Sequence, residues 1–254
     1  MNSIKYFAAE DHIIRKIWGK ADTILLIFAG SAAEFALNKA VDWLYFTGKI
    51  PKDPIGRLFS TVSYARKIIF ATEEDAFATI DSINDIHGHV EKARGAKIPE
   101  WAFRDVLYML IHYSIASFEI LERSLTNAEK EAVYDNFLKL GNRMQIPRLP
   151  SDYTSWQLSY DAHLQQDLEK SALSIDLFKQ YKKHLGTIRY RILLESQKLV
   201  VPPQTATLLG FTKGSALKPL MPFYKTLRAA KADWLLKSIL LPAAYHEQIR
   251  QLDA

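Results

Sequence analysis

Apolar residues recur at intervals of three and four through most of the 254-residue chain, while strict alternation is nearly absent. This pattern predicts helices over residues 4–19, 23–47, 54–69, 73–94, 99–123, 127–143, 151–170, 173–199 and 224–240. No Asn-Gly or Asp-Gly pair separates alternating runs, so hairpins are not expected and the fold class is all-α. Two helix starts carry capping chemistry, Thr72-Glu-Glu-Asp75 and Thr126-Asn-Ala-Glu129: a hydroxyl and a carboxylate three residues apart can satisfy free backbone N–H groups. Breaks combining Gly or Pro with lost periodicity fall at 48–54, 95–99, 141–150, 201–214 and 219–222, and none has linker composition. With no internal repeat, the expectation is a single domain over 1–254 of about nine to ten helices, with 200–222 as the loosest stretch, suited to a lid or exposed loop.

Composition narrows the chemistry. With 48% hydrophobic residues the chain can bury a sizeable core, and a net charge of +5 from scattered Lys and Arg gives no basic patch for nucleic acid. The apolar run Ile24 to Ala33 is too short to span a bilayer and continues into Glu34, Lys39 and Asp42. The N-terminus lacks a signal-type core, so a cytoplasmic protein without a transmembrane segment is expected. The absence of cysteine excludes disulfides, thiolate haem ligation and iron–sulfur clusters, leaving imidazole, carboxylate and tyrosinate as metal ligands. The chain has no Glu-x-x-His, His-Glu-x-x-His, Gly-x-Ser-x-Gly or phosphate-cradling glycine loop.

Three clusters remain. On the helix starting near Thr72, the residues Ala76, Ile80, Ile83, His87 and Val90 share one face, which turns His87 inward. His89, about 200° further round, faces solvent, so the two rings cannot share an ion. Gly88 between them either admits a bulky planar group close to the backbone or marks a kink. His112 lies in the apolar segment 106–118, where a buried imidazole is costly unless partnered. Taken alone, either histidine is explained as a core residue with satisfied nitrogens; two on consecutive helices suggest a site. Finally, Arg57, Thr61 and Tyr64 share a face of the helix that begins at Pro54, a fixed cation beside two hydroxyls. A surface arginine paired with an acid is the plainer account of that cluster.

The order of these motifs resembles the MpaB-type oxygenase family, which includes the bacterial latex-clearing proteins, all-α proteins whose characterised members hold haem b through one histidine. The resemblance runs through Leu25-Leu-Ile-Phe-Ala-Gly30, Asp53-Pro-Ile-Gly-Arg-Leu58 with Thr61, Ile86-His87-Gly-His-Val90, Leu110-Ile-His-Tyr-Ser114, Met144-Gln-Ile-Pro-Arg-Leu-Pro150, and Ile239-Leu-Leu-Pro242 with Arg250, covering about residues 23–254. It implies a haem-sized pocket, His87 as the ligand to the haem iron, Arg57 and Thr61 near the haem, and His112 and Ser114 as the family's inward histidine and hydroxyl. Two departures stand out. Asn38-Lys39 replaces a common His-Pro pair, and Ser60 replaces the lysine that in latex-clearing proteins can cap the open face of the iron, leaving His112 or water for that position.

The resemblance thus implies a haem b-dependent oxygenase or oxidoreductase using dioxygen or a peroxide on a small apolar substrate, unsaturated or prenyl-like. In that role His87, Arg57, Thr61, His112 and Ser114 would contact the cofactor, with Arg57, Thr61 and His112 also serving the chemistry. Two competitors stay open: a non-catalytic helical protein that binds an apolar ligand or a protein partner without haem, and a non-haem metal held by His87, His112 and a carboxylate such as Glu119.

Overall fold

In the computed structural model, which describes residues 4–48 and 52–229, eleven α-helices form among the described residues. They are α1 (Ile13–Trp18), α2 (Ala21–Leu37), α3 (Val41–Phe46), α4 (Pro54–Phe70), α5 (Glu73–Arg94), α6 (Glu100–Leu121), α7 (Asn127–Arg143), α8 (Tyr153–Gln166), α9 (Ala172–Val200), α10 (Pro203–Leu209) and α11 (Met221–Ala229). No strand forms among these residues, and the all-α class holds.

The apolar run that is too short for a membrane becomes α2, buried on nearly every side, and it packs most extensively against α6 and α9. No helix among the described residues is long and apolar enough to cross a membrane. Close approach of α2 to α6 requires Gly30: a Cβ there would lie 2.2 Å from the Tyr113 ring. The capping chemistry operates as the sequence suggests. Thr72 Oγ1 accepts from Asp75 N, and Thr126 with Glu129 forms a reciprocal box at the start of α7.

Two predicted helices are corrected. Residues 4–12 are not helical: Phe7 N donates to Ala71 O and Glu73 N to Lys5 O, so the segment pairs with the α4–α5 connection. Helix formation waits for His12, whose Nδ1 accepts from Ile14 N as the cap of α1. The expected 23–47 helix breaks at Asn38, whose extended backbone pairs with Leu168, while Asn38 Oδ1 accepts from Ala40 N. Tertiary pairing overrides local propensity at both places. The 200–222 stretch contains the short helix α10 and a 3-10 turn at Lys218–Leu220, and α9 bends at Gly186, the one residue in it with non-helical backbone (φ 73°). The helix expected at 224–240 is seen as α11 to Ala229; its remainder, Ile239–Pro242 and Arg250 lie outside the described residues.

Candidate functional site

His87 sits on the second half of α5, where the apolar stripe passes from full burial at Ala76 and Ile80 to half-burial at Ile83, His87 and Val90. Its ring packs edge-on against Phe103 of α6, with centroids 5.0 Å apart. Nδ1 is sealed from solvent and has no hydrogen-bond partner. Burial, and next the charge of Arg57, lower the His87 pKa, while Glu91 opposes them weakly; the imidazole is held neutral with its lone pair available. His89 faces solvent with Nδ1 against Asp85 O, and α5 runs through Gly88 without a kink, leaving open space where a Cβ would stand.

Across from His87, α4 begins with Asp53 capping Gly56 N and Pro54 in the first turn. One turn in, an Arg57 Nη donates to Ser60 Oγ at 3.0 Å and to Thr61 Oγ1 at 3.1 Å. Burial lowers the Arg57 pKa against a smaller opposing effect of Tyr64, and no carboxylate is among the groups that shift it. This pairing of an uncompensated guanidinium with a neutral imidazole joins His87, Arg57 and Thr61 in one neighbourhood.

The structure does not bring His112 and Ser114 to that neighbourhood. His112 stands nine residues beyond Phe103 on α6, about half a turn out of phase and roughly 13 Å along the axis. Its ring packs on Tyr113 and Tyr160, Nε2 contacts Val200 O at 3.2 Å, and burial lowers its pKa. Ser114 Oγ accepts from Trp18 Nε1 and donates to Leu110 O. The alternative triad of His87, His112 and Glu119 is likewise not gathered: Glu119 takes Lys130 and Leu125 N, and the only three-membered set of ligating groups among the described residues excludes all three. Two clefts of about 420 and 520 Å³, running past Phe118 and Met221 respectively, touch none of His87, Arg57, Thr61 and His112.

A cluster not singled out in the sequence lies where α2, α6 and α8 meet. Glu34, Asp105 and His163 are all at most 4% exposed. Glu34 Oε2 accepts from the hydroxyls of Tyr113 (2.8 Å) and Tyr160 (2.7 Å), burial and Glu34 holding both phenols well above their ordinary pKa. Asn38 Nδ2 donates to Asp105 Oδ2, which ties the break after α2 to this cluster. Burial would lower the His163 pKa, but Asp105 and Glu34 outweigh it and push it up to about 10. Burial and the nearby Asp167 raise the Asp105 carboxyl, against the pull of His163 and Asn38. The available signal was the spacing Tyr160, His163, Asp167, one helix face, together with a carboxylate at Glu34 inside an apolar run.

The described residues thus form an all-α fold in which a half-buried histidine of lowered pKa stands beside a half-buried arginine. Residues 18–239 match the family described as ER-bound oxygenase mpaB/B′/rubber oxygenase, catalytic domain, and the chain belongs to that family. No curated protein and no solved structure matches it.

Proposed function

We propose that this chain is a haem b-dependent oxygenase in which His87 is the protein ligand to iron and the substrate is a small apolar molecule, unsaturated or prenyl-like in character. The observation that carries the reading is the state of His87: an imidazole whose pKa burial lowers, packed edge-on against Phe103, with its sealed Nδ1 left without a hydrogen-bond partner. A core histidine would have that buried nitrogen satisfied. The donor set fits haem b, since the chain offers imidazole and no thiolate.

Haem b, when held, supplies activation of dioxygen or peroxide. The chain's own groups do the rest. Phe103 limits rotation of the His87 ring and Arg57 disfavours its protonation. Ser60 and Thr61 fix the Arg57 guanidinium, which meets an anion, either a propionate or a polar group of the substrate. Thr61 Oγ1 also returns a hydrogen bond to Arg57 O, so its orientation is set by the helix. His112 and Ser114 are left out of this reading, because His112 Nε2 contacts Val200 O, Ser114 Oγ is committed to Trp18 and Leu110, and both lie away from His87 on α6.

The test is the absorption spectrum of protein expressed with haem supply. A Soret band is expected in the native chain and in His89→Ala, and its loss in His87→Ala. A colourless native protein that refuses added haemin overturns the reading and favours a non-catalytic helical binder.

A further inference from the structure

The cluster at α2, α6 and α8 is more than a buried ion pair. Asp105 Oδ1 lies 3.0 Å and Asp167 Oδ2 3.3 Å from the same nitrogen, His163 Nδ1, and the three ligand atoms fall within 4.8 Å of one another. Atoms bound to one ion at about 2.0–2.2 Å stand about 3.0–3.5 Å apart in octahedral or tetrahedral geometry, so the two separations from His163 Nδ1 match coordination edges. A single N–H cannot point at both oxygens. The hydrogen bond runs to Asp167, and Asp105 Oδ1, in a fully buried side chain, has no hydrogen-bond donor.

Charge points the same way. Glu34, Asp105 and Asp167 bring three carboxylates around one imidazole, and no Lys or Arg among the described residues pairs with any of them. Carboxyl groups gathered this closely around one imidazole, with no cationic side chain among them, leave oxygens that a bound cation would satisfy. On the far side of the ring, Nε2 stands 3.5 Å from Glu34 Oε1, and Glu34 is held by Tyr113 and Tyr160. Neither atom of that pair makes a hydrogen bond in the structure, and Glu34 stands where an outer carboxylate would orient a ligating histidine.

We propose that Asp105, His163 and Asp167 bind a divalent first-row transition-metal ion, with Glu34 accepting from His163 Nε2–H, at a site separate from His87. One imidazole and two carboxylates suit Zn²⁺, Mn²⁺, Fe²⁺ or Co²⁺. Bound there, the ion joins α6 to the end of α8 beneath α2.

The test strips the native protein with chelator, returns Zn²⁺ or Co²⁺ at neutral pH, and measures retained metal after gel filtration. One Zn²⁺ per chain, counted apart from any haem iron, a visible Co²⁺ spectrum and a raised Tm are expected. Asp167→Asn, whose side chain is partly exposed, keeps the fold and weakens Zn²⁺ binding on the order of tenfold or more. His163→Gln abolishes it; if that variant fails to fold, Asp167→Asn decides. His87→Ala retains the ion, so failure of the haem reading and failure of this one are distinguishable. A native chain that retains no stoichiometric Zn²⁺ or Co²⁺ overturns the proposal, as does unchanged affinity in Asp167→Asn or loss of the ion in His87→Ala.

Discussion

Two histidines of this chain lie in opposite kinds of surroundings. His87 is half-buried, with a lowered pKa and no hydrogen bond at Nδ1; His163 is buried, hemmed by carboxylates and pushed up to about 10. The first sits where an apolar stripe loses its cover, the second where three helices close on each other. An imidazole left unsatisfied beside a cation is available to something outside the chain, whereas one surrounded by acids is part of what holds the chain together. Sequence periodicity marked the first and passed over the second.

Substitution at the two positions breaks the comparison most sharply. His163→Ala leaves Glu34 and Asp105 buried without a cationic partner, a loss of about 3–5 kcal/mol in urea unfolding. His87→Ala removes a ring contact and no hydrogen bond, so haem-free protein loses about 1 kcal/mol or less. Equal losses at the two sites would erase the distinction.

The fold was largely legible because helix periodicity and capping are local. Thr126 with Glu129, Thr72 with Asp75, and Pro54 after Asp53 each fix a helix start with atoms a few residues apart. What stayed hidden was set by distant partners. Asn38 leaves the helix because Leu168 pairs with it, and residues 4–12 are drawn straight by Ala71 and Thr72. The candidate residues divide in the same way between local and distant causes. The Arg57–Thr61 contact spans one turn and could be read from spacing, whereas the separation of His112 from His87 depends on the phase of α6 relative to Phe103. Spacing puts His163 on one face with Tyr160 and Asp167 and leaves a carboxylate at Glu34 in an apolar run, but the residue order does not bring Glu34, Asp105 and His163 together across 129 positions.

A smaller effect tests how the buried cluster is built. Gly30 lies one turn before Glu34 on α2, and its missing side chain lets the Tyr113 ring lie against the helix with its hydroxyl on Glu34. Gly30→Ala drives a methyl into that ring, so about 1–3 kcal/mol is lost to overpacking despite alanine's better helix propensity. A variant as stable as the native chain would mean that Tyr113 can shift without disturbing Glu34.

The smallest effect calibrates the buried network against an exposed one of similar chemistry. At the start of α7, Glu129 accepts from both Arg123 nitrogens and from Thr126 N, while Thr126 Oγ1 accepts from Glu129 N. The Arg123 hydrogen bonds, then the backbone bond at Thr126, hold the Glu129 carboxyl down to about 2. A depressed carboxyl stabilises the fold above its unfolded pKa, near 4.5, and that contribution disappears as pH falls toward about 2. The stability difference between native protein and Glu129→Gln therefore shrinks over that window, and Thr126→Ala costs about 1 kcal/mol at neutral pH. Were Thr126→Ala to cost as much as His163→Ala, burial would not be what separates the two networks, and the contrast between the two histidines would need another cause.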